Sequence, residues 1–187
     1  MNGPDRRVRI LEATYACVAR WGLAKTTVED VARQAGMSRA TVYRYFPGGR
    51  DELISAVVAW EFSRFFLRLY EEVSDADSLE EVMERGLMFA HRALMGHEVL
   101  QRILVTEPET LLPRMTTESD QTHTLVAAFL TPYLVRHGMA EGPDLEAAAG
   151  FLARMVLSYI GSPGRWDLGD PDQVSLLVRS ELLAGIR

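Results

Sequence analysis

An all-α fold is predicted for this chain: a three-helix N-terminal head containing a helix-turn-helix, joined to a larger helical bundle. Three observations carry that expectation. Apolar residues recur at three- and four-residue spacing, and no segment alternates as a strand does. Capping residues and Pro or Gly breaks divide the chain into helix-sized pieces. Residues 26–53, TTVEDVARQAGMSRATVYRYFPGGRDEL, read as a helix, a glycine turn and a short helix with a polar, aromatic and basic outer face.

The first helix is expected from Arg6 to Trp21, with Ile10, Leu11, Thr14, Cys17, Val18 and Trp21 on one face, ended by Gly22. Thr26 or Thr27 caps the second, with Glu29 or Asp30 completing a capping box, and it ends at Ala35-Gly36. Ser38 caps the third, which runs to Phe46 before the Pro47-Gly48-Gly49 break. A long fourth helix starts near Asp51, with acids in its first turn, and reaches about Val73. Ser78 opens a helix to about Met95, and a short one follows from Glu98 to Thr106. Thr116 to His137 is helical in pattern, with Pro132 expected to kink or split it. Pro143 starts a helix to Ile160, and Asp170-Pro171 reads as cap and first residue of a last helix to about Ile186.

Composition narrows the function. With 187 residues and 48% apolar content, the chain can bury a core. It has no apolar run of about 18 residues to span a membrane. MNGPDRRVRI lacks the apolar run of a signal peptide. A single cysteine, Cys17, forbids an internal disulfide and suits the cytoplasm. The net charge is −6, yet residues 1–50 hold nine Arg or Lys against four acids, a net of +5, so the remainder carries −11. A basic head meets phosphates while an acidic body is repelled by them, which orients the encounter. Lys25 is the only lysine, so arginine supplies the positive charge.

Arg39 is placed to reach a guanine through O6 and N7, and Arg44 to do the same or to grip a phosphate. The Thr41 methyl suits a thymine methyl. Tyr43 and Tyr45 suit sugars and phosphates, although one residue of the Arg44-Tyr45 pair is expected to point inward. Thr27 and the amides at the start of the second helix offer a further phosphate site. Val28, Val31, Ala32, Ala35, Val42 and Phe46 are expected in the head core, with Gly36 supplying a positive φ.

Catalytic signals are lacking. The histidines, His91, His97, His123 and His137, show no i, i+4 metal pair. Gly161-Ser162-Pro163-Gly164 is no nucleophile elbow. No acid–base pair stands out, so neither an enzyme, a metal nor a cofactor is expected.

The motif residues carry a resemblance. Ile10, Ala13, Gly22, Thr26-Thr27, Val31-Ala32, Ala35-Gly36, Ser38, Thr41-Val42-Tyr43, Tyr45-Phe46 and Leu53 fall at the spacing of the TetR family of bacterial transcriptional repressors, which residues 6–54 resemble. The resemblance implies a homodimer that binds operator double-stranded DNA and releases it when a small molecule enters the body. It divides the chain into a DNA-binding domain at residues 1–49 and a ligand-binding and dimerisation domain at residues 50–187. Ser38 and Ala40 complete the expected DNA-contacting set. Two departures stand out. Cys17-Val18 replaces the family's larger pair. Gly48-Gly49 fills the place of the family's lysine, so that Arg50, assigned a phosphate contact, falls one residue late.

The body offers an apolar lining for the effector: Phe62, Phe65, Phe66 and Leu69 from the fourth helix, Met83, Leu87 and Met88 from the fifth. Met115, Phe129, Tyr133, Phe151, Met155 and Tyr159 complete it. Such a set fits an apolar or aromatic ligand. Two helices, about residues 122–136 and 145–160, are the expected dimer surface, with the small Ala149 and Ala153 letting a second copy approach. The alternative is that this small-residue face packs inside its own subunit.

Overall fold

The computed structural model describes residues 5–109 and 119–186, and no strand occurs among them. The helices are α1 (Arg6–Trp21), α2 (Val28–Ala35), α3 (Arg39–Tyr45), α4 (Gly49–Val73), α5 (Leu79–Met95), α6 (Glu98–Thr106), α7 (Ser119–Arg136), α8 (Pro143–Gly161) and α9 (Pro171–Leu177). No helix among the described residues is long and apolar enough to cross a membrane. The chain forms two compact units. One holds the described residues within Met1–Leu67 and His97–Pro113, the other those within Arg68–Gly96 and Arg114–Arg187.

In the first unit, each short helix is fixed at its ends. Thr27, not Thr26, caps α2: its hydroxyl oxygen accepts from the Asp30 N–H at 3.1 Å. Thr26 is buried instead and donates to the Gly22 carbonyl at 2.7 Å, tying down the α1–α2 loop. Gly36 closes α2 in the left-handed region, φ 64°, and the Met37 N–H reaches back to the Ala32 carbonyl at 2.9 Å. Ser38 caps α3 by accepting from the Thr41 N–H at 3.2 Å. Ile10, Leu11, Cys17, Val31, Val42, Phe46, Leu53 and Val57 form the core these helices share. Burial pushes the Cys17 thiol up, with Asp30 adding to the effect, as suits a structural residue.

Gly48 and Gly49 each have a local role. Gly49 begins α4 at φ 66°, and a Cβ there would stand 3.3 Å from Tyr43 Cε1. The Gly48 N–H donates to Glu52 Oε2 at 2.7 Å, closing the first turn.

In the second unit, Leu87 of α5, Leu134 of α7, Leu152 of α8 and Leu177 of α9 lie in one core with Leu168 and Leu182. α7 and α8 pack along each other, and His123 Nε2 sits 2.9 Å from the Gly150 carbonyl oxygen. Pro132 does not split its helix: α7 runs through it to Arg136. The expected start of that helix at Thr116 lies outside the described residues. The last expected helix is not uniform. Asp170 caps it and Pro171 opens it, but the α form ends at Leu177 and passes into a π turn, Val178–Leu182, and a 3₁₀ turn, Leu183–Ile186. The wider turn holds Val178 and Leu182 on the buried side, and Leu183 follows them there at the start of the 3₁₀ turn.

Gly36→Ala should destabilise the head by roughly 1–2 kcal/mol, because an L side chain is strained in the left-handed region. Urea unfolding of the variant against the parent measures it, and an unchanged midpoint would show that the turn relaxes at no cost.

Candidate nucleic-acid interface

The interface is built on α3. Val42 and Phe46 point inward and are wholly buried, which fixes the helix from behind. Arg39, Ala40, Tyr43 and Arg44 are exposed, and Thr41 is partly so. The i, i+4 pairs Arg39–Tyr43 and Ala40–Arg44 make one outward stripe. Tyr43 is 42% exposed, with its ring edge against Gly49.

Arg39 keeps only a loose ion pair with Glu29 of α2, 3.9 Å apart, with both side chains more than 60% exposed. Such a pair holds the guanidinium weakly. Arg44 lies over the Tyr45 ring, 5.4 Å from its centroid. Tyr45 is partly buried and packs against the head core, so it is the inward member of the pair. Ser38 and Thr27 are exposed, but both hydroxyls already cap helices. Thr27 also donates to Asp30 Oδ2 at 2.6 Å, and this bond, first among several causes, holds the Asp30 carboxyl below its ordinary range.

Arg50, expected at a phosphate, has its donors engaged within the chain. Nη2 donates to the Leu23 carbonyl at 2.7 Å, Nε to the Thr26 carbonyl at 3.0 Å, and Nη1 to Asp51 Oδ1 at 3.0 Å. The side chain braces the α1–α2 loop.

Other contacts in this unit have no signal in the sequence. Arg9 Nη2 donates to the Ala35 carbonyl at 3.0 Å, at the end of α2. The Arg7 guanidinium lies 4.6 Å from the Phe46 ring centroid. From α6, Arg102 donates to the Val18 carbonyl at 3.1 Å and to that of Ala19, the last turn of α1. Glu107 accepts from the Ala24 N–H at 2.7 Å. Ile103 packs with Val18, Leu23 and Ile54. His97 caps α6, its Nδ1 accepting from the Leu100 N–H at 3.1 Å. These partners lie as many as 84 residues apart, beyond the reach of periodicity or local capping rules.

The residues expected around an effector are divided. Phe62, Phe65 and Phe66 fall in the first unit, Phe62 being 37% exposed and the rings of Phe65 and Phe66 meeting edge-on at 5.4 Å. In the second, Met83 and Leu87 are buried core, and Met88, Phe129, Phe151, Met155 and Tyr159 pack against it. Leu69 and Tyr133 are buried in that unit too. Met115 lies outside the described residues. An open cleft of about 310 Å³ in the second unit is bordered by Leu79, Leu134, His137, Met139 and Leu183, and by none of the expected lining residues.

The dimer residues are corrected. Ala149 and Ala153 are 2% and 0% exposed within a single chain, Ala149 in the core of the second unit. The small-residue face of α8 serves its own subunit and is not an open surface.

Comparison with known proteins agrees with this geometry. Residues 10–57 match the family described as bacterial regulatory proteins, tetR family. An uncharacterized HTH-type transcriptional regulator of Mycobacterium bovis is 32% identical over 103 residues, covering 55% of this chain and 52% of that protein. The chain thus spans about half the length of the first curated relatives it matches. The HTH-type transcriptional repressor KstR2 of Mycobacterium tuberculosis is 28% identical over 153 residues, covering 76% of this chain and 72% of its own. Among solved structures, the TetR family repressor AlkX of Dietzia, implicated in biodegradation of n-alkanes, superposes with TM-score 0.67 at 24% identity over 100% of both chains. The fatty acid degradation regulator FadR of Bacillus halodurans does so with TM-score 0.59 at 19% identity, covering 97% of this chain and 98% of its own. At these identities the structural likeness speaks for the fold alone.

Arg50→Met should lower the head's stability by roughly 1–2 kcal/mol, since two backbone carbonyls lose their charged donor, and should leave the salt dependence of DNA binding unchanged. A stable variant whose log–log salt slope falls by about one would return Arg50 to the phosphates.

Proposed function

We propose that this chain, whose residues 10–57 match the tetR family of bacterial regulatory proteins, is a DNA-binding transcriptional regulator of the cytoplasm. It acts as a repressor that leaves a palindromic operator when a small apolar or aromatic ligand binds. One observation carries the DNA-binding part. A short helix, held from behind by two wholly buried side chains, turns Arg39, Ala40, Tyr43 and Arg44 outward together. Arg39 reads a guanine edge, and Thr41 meets a thymine methyl. The small Ala40 lets the helix approach closely, while Tyr43, Arg44 and the α2 N-terminus position it on sugars and phosphates. The repressor KstR2, a relative by sequence, supports the direction of the effect.

A seven-residue helix reads few base pairs, so two copies act together across a twofold axis. Since Ala149 and Ala153 face inward, the pairing face is assigned to the outward stripe of α7. Leu125 and Val135 are 44% and 41% exposed there, with Ala128 and Pro132 exposed between them. These four recur at three- and four-residue spacing on one side of the helix.

Arg39→Ala should cost roughly 1–3 kcal/mol of operator binding and relax the preference at one base pair. Tyr43→Phe should weaken binding evenly across sequences. Unbiased selection from random duplexes should return an inverted repeat with half-site centres about 34–36 Å apart, or a multiple; a single unrepeated site would refute the twofold arrangement.

Leu125→Arg and Val135→Arg should both yield folded monomers in sedimentation, because each sets an unpaired charge in the pairing face. Ala149→Arg should unfold the second unit instead. Dimers from both α7 variants at micromolar concentration would place the contact elsewhere.

A further inference from the structure

Tyr133 of α7 is 3% exposed, and its buried hydroxyl has no hydrogen-bond partner among the described residues. Buried hydroxyls are paired in nearly all folded proteins, so an orphan needs a reason. Its surroundings give it none. The ring lies against Phe129 at 5.4 Å, tilted by 46°. Arg136 stands 5.4 Å from the ring centroid, over the face of the ring. The other tyrosine of the expected lining differs: Tyr159 donates its hydroxyl to Glu181, which also pairs with Arg165 at 3.2 Å. Of the two phenols, then, only Tyr133 has its hydroxyl open.

We infer that the Tyr133 hydroxyl is the polar anchor of the effector site, selecting an apolar molecule that carries one hydrogen-bond-accepting oxygen. The inference rests on the effector reading above and narrows it. Burial pushes the Tyr133 phenol up, the nearby Tyr70 phenol adds to this and Arg136 opposes it. The group is therefore a neutral O–H donor near pH 7. An O–H lacking an acceptor is the larger loss for a buried phenol, so a ketone, ester or carboxylate oxygen satisfies it. A pure hydrocarbon leaves it orphaned, and discrimination follows from that difference.

Two measurements on the full chain test this. Tyr133→Phe removes the hydroxyl and keeps the ring. If the hydroxyl is vacant in the ligand-free protein, the urea midpoint of the variant stays equal to the parent's or rises; a lower midpoint means that the hydroxyl is already bonded, and overturns the inference. The second measurement titrates two probes of similar shape by ligand-observed NMR: acetophenone, with one ketone oxygen, and isopropylbenzene, with none. The parent should prefer acetophenone roughly fivefold to tenfold, the effect of one net hydrogen bond, and Tyr133→Phe should bind the two alike. Equal binding of both probes by the parent, or a preference that survives in Tyr133→Phe, overturns the anchor and leaves the effector reading standing. Failure of both probes to bind the parent overturns both.

Discussion

A helix of seven residues does not hold itself together in water, since nucleation is unfavourable and too few hydrogen bonds follow to repay it. α3 exists because Val42 and Phe46 are wholly buried against α1, α2 and α4 and because Ser38 satisfies its first turn. That constraint orders the rest of the head. The inward face must be apolar and tightly packed, so the outward face is left for residues chosen by what they touch. A positive-φ glycine must close α2, because the chain has two residues in which to turn. A second must open α4, because the Tyr43 ring lies against it.

The local devices were legible in the sequence for the same reason: they act over three or four residues. Ser78 opening α5 and α6 spanning Glu98–Thr106 were read from caps and periodicity and are found so. So was the inward packing of Val28, Val31, Ala32, Ala35, Val42 and Phe46. Periodicity gives a face but not what meets it. Ala149 and Ala153 mark a place of close helix approach, yet the spacing of small residues is the same whether the approaching helix belongs to the same chain or to another copy. The structure shows α7 of the same chain packed along that helix. The contacts of Arg50 were out of reach for a related reason. An arginine near a helix start suits a phosphate, but its donors went to two loop carbonyls that no sequence rule ties to it. The π turn at Val178–Leu182 was hidden because capping and hydrophobic spacing look alike in α and π turns.

Long-range closure changes what the head is. Its compact unit takes in α6 and the residue after it, Glu107, and these bind backbone groups at the end of α1 and in the loop that follows. Arg102 donates to the Val18 and Ala19 carbonyls in the last turn of α1, where carbonyls run short of intrahelical donors, while Glu107 accepts from the Ala24 N–H. Residues 68–96 are inserted, in sequence, between two parts of that one unit. A stretch of chain that leaves a unit and returns to it constrains both of its crossing points. The crossing at Gly96-His97 is followed at once by the cap of α6, where His97 also approaches Glu61 of α4 at 3.7 Å. A ligand controls DNA binding only through a difference in affinity between two arrangements. In the proposed regulator, the bonds of Arg102 and Glu107 tie the α6 segment to the same helix and loop that pack with α3 in one compact unit, so any ligand-driven difference has to act on that unit as a whole or on its bond to the operator.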